Sequence, residues 1–340
     1  MEKVRLGRTE LMVTRTAFGV LPIQRTDMET AIKILHSALD AGINYYDTAR
    51  AYTDSEEKMG RAFEGHRQEI IISTKTNKTT WAEMEKDLTT SLRNLKTDYI
   101  DIYQLHNPAE LPDPEDDTGI YAGLLEAKRQ GKIRHIGITN HRIHLAMEAV
   151  QSGAYATMQF PFSYLSGEKE IALVNLCKEK DVGYIAMKAL SGGLCGHVPG
   201  TFAFIRQFEN VVPIYGIQHQ WELDEFIALD KNPPPMDADM EAAIQKDRAE
   251  LAGGFCRSCG YCLPCPADIN IPTAARIYWL MTRSPAERYL TDEFYAEMQR
   301  VKDCIHCGSC AAKCPYDLDT PDLVAKQYDM YMDLYGQLKG

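Results

Sequence analysis

The sequence has no apolar run long enough to cross a bilayer: no stretch of about 18 uncharged hydrophobic residues occurs. A spanning helix is therefore not expected. It also has no surplus of positive charge. Lys and Arg number 37 against 48 Asp and Glu, a net charge of −11. Binding a phosphate backbone needs clustered Lys and Arg, so a nucleic-acid partner is argued against. An anionic membrane surface is argued against on the same ground. The opening MEKVRLGRTE carries no apolar signal core, and a cytoplasmic protein is expected. Low-complexity tracts and short-period repeats are missing too. What remains is ordinary globular material, 45% hydrophobic and 25% charged.

Cysteine, in contrast, is plentiful, and its placement is uneven. Eight of the 10 cysteines lie in two tight groups. The first is Cys256, Cys259, Cys262 and Cys265, followed by Pro266. The second is Cys304, Cys307, Cys310 and Cys314, followed by Pro315. In a cytosolic chain of this size such spacing reads as metal or cluster ligation rather than disulfides. Cys177 and Cys195 stand alone and read as small buried hydrophobes.

Ahead of these groups, short apolar runs alternate with amphipathic segments. RTAFGV, INYYD, EIIIST, DYIDIYQLH, IRHIGIT, YATMQF, VGYIAMK and VVPIYG read as eight strands. Between the first two, Ile32, Leu35 and Leu39 fall on one helical face. After Trp81, Met84, Leu88, Leu92 and Leu95 do the same. Eight strand-helix units imply an α/β fold, a closed parallel (β/α)8 TIM barrel. VRLGRTELMVTRT reads as a hairpin capping the barrel floor. The three prolines of KNPPPMD cannot continue a helix and mark a linker. The expected division is a barrel over residues 1–230, then linker and cluster domain, helical and loop-rich, over 231–340.

Four residues at or just past predicted strand ends carry chemistry: Asp47 and Tyr52 in DTARAY, Lys75 in STK and His106 in YQLHN. Barrel catalysis occurs at that end of the strands. Reducing a carbonyl needs a hydride on carbon and a proton on oxygen. Tyr52 can give the proton, although a free phenol has a pKa near about 10. A nearby Lys75 ammonium is expected to lower that value toward neutrality. Asp47 would hold Lys75 charged and oriented, and His106 would hydrogen-bond the carbonyl oxygen.

These four residues, in this order, resemble the active site of the aldo-keto reductase family. The chain as a whole resembles an iron-sulfur branch of it, in which FCRSCGYCLPCP and CPYDLDTP recur. The resemblance implies NAD(P)H as hydride donor. Thr139, Asn140 and Gln159 would hold the nicotinamide carboxamide. Met187 stands where the family usually has a ring-stacking Tyr. The segment YGIQHQWELDEF resembles the adenine-end segment, with Gly216 and Glu225 in place and Phe226 where an Asn is expected. It offers no Arg or Lys to a 2′-phosphate, so NADH versus NADPH is left open. Glycine-rich ALSGGLCG could approach the pyrophosphate. The second cysteine group matches the bacterial two-cluster ferredoxin run, and the first departs from it by one residue in its last gap. By that resemblance Cys256, Cys259, Cys262 and Cys314 would hold one [4Fe–4S] cluster. Cys304, Cys307, Cys310 and Cys265 would hold the other. Paired zinc sites are the structural alternative.

Two functions follow. One is an oxidoreductase that reduces a small carbonyl, an aldehyde, ketone or sugar-like compound, with NAD(P)H. The alternative is an electron-transfer protein, or a cluster-fed reductase, whose clusters deliver single electrons from a redox partner to a substrate in the barrel.

Overall fold

The computed structural model describes residues 1–252, 254–283 and 286–339. The chain forms two compact units. One comprises residues 1–189 and 199–236, the other residues 190–198 and 237–340.

In the first unit, β1 (Lys3–Arg5) and β2 (Met12–Thr14) form an antiparallel hairpin. Eight parallel strands then close a barrel: β3 (Ala17–Gly19), β4 (Tyr45–Asp47), β5 (Ile71–Thr76), β6 (Ile100–His106), β7 (Ile133–Thr139), β8 (Thr157–Pro161), β9 (Gly183–Met187) and β10 (Val211–Gly216). Each successive pair is neighbouring, and β10 returns to β3. All eight predicted strands are present. The hairpin plugs the barrel: Leu6 and Val13 share one buried cluster with Ala17, Tyr45, Ile102, Ile185 and Val212. A Cβ at Gly183, the first residue of β9, would meet the Leu6 side chain.

The connecting helices start and pack for local reasons. In α1 (Met28–Asp40), the Asp27 side chain accepts from the Thr30 amide at 2.9 Å, meeting an otherwise unpaired donor. Its buried stripe is Ala31, Ile34, Leu35 and Ala38. Ile32 and Leu39, expected on that stripe, are half-buried shoulders. The smaller alanines take the centre because they let the helix lie closer to the sheet. Farther on, α2 (Ser55–Ala62) follows the loop carrying Tyr52, and α3 (Trp81–Asn94) is capped by Thr80. Met84 and Leu88 of α3, with Leu95 just beyond it, are buried as expected, and Leu92 is half-buried.

The second unit is helical, with longer helices at Ala238–Glu250, Ile277–Arg283, Asp292–Gln299 and Thr320–Lys339. Its core joins Ile269, Ile271, Leu280, Tyr289, Met298 and Tyr331, and Cys256, Cys262, Cys265, Cys304 and Cys310 pack against it. Residues 190–198, which follow β9 in the chain, belong to this unit. Arg276 donates to the Gly192 carbonyl at 3.2 Å, and Arg283 to the Leu194 carbonyl at 2.8 Å. The Gly196 amide donates to Asp247 at 2.8 Å. Gly192 and Gly193 are left-handed, and a Cβ at Gly192 would meet Arg276. A tight turn under an arginine thus accounts for the glycines there.

Candidate active site and cluster domain

Asp47 ends β4, Lys75 is next to last in β5, and His106 ends β6. Parallel pairing aligns these ends, so residues distant in sequence meet. Lys75 Nζ lies 2.5 Å from Asp47 Oδ1 and donates to the Thr48 carbonyl at 2.5 Å. Both members of the pair are buried, at 1% and 2% side-chain exposure. Tyr52 arrives on the loop after β4. Its ring meets the His106 ring edge-on at 5.7 Å between centroids, and Lys75 Nζ lies 5.4 Å from the Tyr52 ring centre. Both are ring contacts rather than hydrogen bonds of the hydroxyl.

The loop itself is tied down from below. The Thr48 amide donates to the Ser73 carbonyl and the Arg50 amide to the Lys75 carbonyl. Arg50 also pairs with the buried Glu56 at 2.8 Å. The Glu56 carboxylate in turn accepts from Thr74 at 2.8 Å and Ser91 at 2.7 Å. Glu56 escaped the sequence reading. A charged residue beginning a helix ordinarily faces water, and only the fold buries this one.

Electrostatics departs from expectation at Tyr52. Its phenol is raised above the ordinary range, first by burial and then by the Asp47 carboxylate. The expected lowering by Lys75 is absent: its ammonium is paired with Asp47 and lies 5.4 Å from the ring centre. Burial lowers the Lys75 value, opposed by Asp47. His106 is pushed down to about 3 by burial and then by Lys75. At neutral pH the tyrosine therefore keeps its proton and the histidine is uncharged. His141, unremarked in the sequence, is also buried and held well below its usual value, by burial and by Lys188, His106 and Arg142.

Of the residues implied to hold a carboxamide, Gln159 reaches the Asp47 group. Its Nε2 lies 3.4 Å from Asp47 Oδ1. Thr139 pairs with both His106 and Gln159 in the strand register and is buried. Asn140 is already engaged: it donates to the Pro108 carbonyl at 3.0 Å and accepts from the His141 and Arg142 amides. Met187 ends β9, half-buried. Gly216 ends β10, and Glu225 is exposed on the helix Gln220–Lys231. Phe226 is core, tilted against Phe202 and Tyr215. Gln104 and Ser73 were overlooked. Both stand in the barrel interior beside Asp47, and both were legible as polar residues two positions before His106 and Lys75, hence on the same strand face.

None of the eight grouped cysteines is in a disulfide. Cys262, Cys265, Cys304, Cys307 and Cys310 line one recess with Ile269 and Ile305, which brings Cys265 to three members of the second group. Arg257 lies 4.3 Å from the Tyr316 ring centre, bringing the neighbourhoods of Cys256 and Cys314 together. The two groups repeat one backbone path. Ser258, Gly260 and Asp268 of the first have positive φ, as do His306, Gly308 and Asp317 of the second. Among the described residues, no three His, Cys, Asp or Glu side chains converge as single-ion ligands would.

A closed parallel barrel with a buried Lys-Asp pair at its strand ends, joined to a cysteine-rich helical unit, defines a barrel oxidoreductase with an iron-sulfur domain. Sequence comparison agrees: the Aldo/keto reductase family matches residues 16–197, and a 4Fe-4S dicluster domain matches residues 255–319. The chain belongs to the aldo/keto reductase family. Among its relatives, the uncharacterized oxidoreductase YqkF of Bacillus subtilis is 31% identical over 214 residues, 58% of this chain and 68% of that protein. The NADH-specific methylglyoxal reductase of Escherichia coli is 28% identical over 261 residues, 65% of this chain and 80% of that protein. In fold, the holo form of an aldo-keto reductase from Bacillus halodurans matches with TM-score 0.64 at 24% identity, over 73% of this chain and 96% of that one. No helix among the described residues is long and apolar enough to cross a membrane.

Proposed function

We propose that the barrel reduces a small aldehyde or ketone with hydride from a nicotinamide nucleotide, and that Tyr52 protonates the carbonyl oxygen. The observation that carries this reading is the buried Lys75–Asp47 pair at 2.5 Å, beside which lies the Tyr52 ring with His106 edge-on to it. A bound nicotinamide supplies the hydride. Tyr52, protonated at neutral pH, donates to the oxygen as negative charge builds there. Lys75 stabilises the phenolate left behind, and Asp47 fixes Lys75. The neutral His106 imidazole donates a hydrogen bond that orients the carbonyl. Gln159 and Thr139 would bind the carboxamide, and Asn140 would have to give up an existing bond to join them.

NADH is favoured over NADPH. From Gly216 to Asp230 there is no Arg or Lys, and the Glu222 carboxylate already accepts from the Gln218 and His219 amides at 2.7 and 2.9 Å. A 2′-phosphate there would meet negative charge.

The second unit would hold two [4Fe–4S] clusters. Three thiols of the first group with Cys314 would hold one, and three of the second with Cys265 the other: Cys265, with Cys262, lines a recess shared with Cys304, Cys307 and Cys310, and the two groups follow one loop path. The thiols spread around a recess rather than converging on a point, which suits a cubane better than zinc. Clusters supply one-electron chemistry when bound.

The test is an anaerobic titration of separate samples of cluster-loaded protein with NADH, NADPH or dithionite, each followed by methylglyoxal. Saturable NADH binding and carbonyl reduction without cluster bleaching is the expected outcome. Absence of nucleotide binding would overturn the hydride reading in favour of the cluster-fed one.

A further inference from the structure

Gln104 stands on β6 two residues before His106 and is fully buried. Its Nε2 lies within hydrogen-bond distance of three acceptors: Ser73 Oγ at 2.7 Å, Gln159 Oε1 at 2.8 Å and Asp47 Oδ2 at 3.2 Å. Ser73 Oγ donates to the same Asp47 oxygen at 2.9 Å. The Gln104 Oε1 atom is buried without a partner. A buried amide normally satisfies both ends. Here the donor end is oversubscribed and the acceptor end is idle, so the amide is oriented by what it gives.

The consequence falls on Gln159. An amide has one oxygen and two N–H groups. With its oxygen occupied by Gln104 and one N–H facing Asp47, Gln159 keeps one N–H for a further acceptor. Were its amide reversed, two N–H groups would face the Gln104 donor, and an oxygen would face the Asp47 carboxylate. Both contacts are repulsive.

We propose that Gln104 is a positioning residue that fixes which end of the Gln159 amide faces the nicotinamide carboxamide, and ties that orientation to the carboxylate that holds Lys75. This rests on the nicotinamide reading above. Gln104 touches neither hydride donor nor substrate in this account; it acts through Gln159 and Asp47.

The experiment compares wild type with Gln104→Leu and with Gln104→Met, which fills nearly the same volume without a donor. In each full-length, cluster-loaded protein, the Kd of NADH and of ADP-ribose, which has no nicotinamide, is measured by anaerobic calorimetry. Loss of one orienting hydrogen bond should weaken NADH about tenfold and leave ADP-ribose unchanged. Equal affinities for NADH in wild type and variant would overturn the proposal. Parallel loss of both ligands would overturn it too, since that marks general disruption; Gln104→Met decides the matter should Gln104→Leu fail to fold. Wild type that binds ADP-ribose but gains nothing from the nicotinamide ring would instead sink the nicotinamide reading.

Discussion

At the scale of single residues, the site is governed by burial more than by charge. Tyr52 keeps its proton because desolvation and Asp47 both raise its phenol. Tyr52→Phe should therefore lower carbonyl reduction by about 10²-fold or more with iron content unchanged, read by steady-state rates and iron assay on one preparation. His106, pushed down to about 3, stays uncharged through the neutral range. The rate of reduction should show no histidine limb between pH 5 and 8. The linkage has a definite sign. The unfolded chain binds a proton at His106 near pH 6.5 and the folded chain does not. Stability is thus full above pH 6.5 and falls as pH drops below it. His106→Asn should lessen that fall between pH 6.5 and 5, measured as urea midpoints, and leave the part due to His141, which is also buried and held low. The placement of Asp47, Lys75 and His106 at strand ends was legible in sequence because apolar runs precede each of them, and Tyr52 follows on the loop after β4. The direction of the Tyr52 shift was not, because it depends on how deeply the ring is buried and where Asp47 lies relative to Lys75. Gln104 was hidden for a related reason: a lone glutamine in a strand announces nothing until its neighbours are known.

At the scale of elements, the loop bearing Tyr52 is as well founded as the strands. Its anchor is Glu56, buried against Arg50, Thr74 and Ser91. Glu56→Ala leaves Arg50 without its carboxylate partner and should cost about 3–5 kcal/mol, with a fall in activity as Tyr52 loses its fixed approach. Thermal melting followed alongside turnover checks both effects. Gly60, on the same helix, packs so closely that a Cβ would fall on the Asn94 carbonyl oxygen. Gly60→Ala should destabilise by about 1–3 kcal/mol, read in the same melts; an unchanged midpoint would contradict the packing of α2 against α3. The eight strands were readable because continuous apolar runs bounded by helices leave few alternatives. The buried face of α1 was misjudged by one position, since Ala31 and Ala38 carry little hydrophobic signal of their own. Likewise the contacts of the glycine-rich segment after β9 with Arg276 and Arg283 were invisible in sequence, because those arginines lie much farther along the chain.

At the scale of the whole molecule, an aldo/keto reductase barrel is joined to a 4Fe-4S dicluster domain. Crossed ligation makes a sharp prediction. Cys265→Ser and Cys310→Ser should each remove about half of the iron, and the double variant should remove no more. Pairing Cys310→Ser with Cys314→Ser should strip nearly all of it. Iron and sulfide assays after anaerobic reconstitution report the outcome, and the reverse pattern would mean that each group binds its own cluster. The spacing of the cysteines announced this domain at once, and the matching positive-φ residues of its two halves became visible only in three dimensions.

The central claim is that hydride passes directly to the carbonyl carbon in the barrel. NADH deuterated at the transferring C4 position, mixed anaerobically with cluster-loaded protein and methylglyoxal, tests it by mass spectrometry of the product. The account predicts one deuterium per product molecule. Reduced product without deuterium, formed while the clusters bleach, would contradict it.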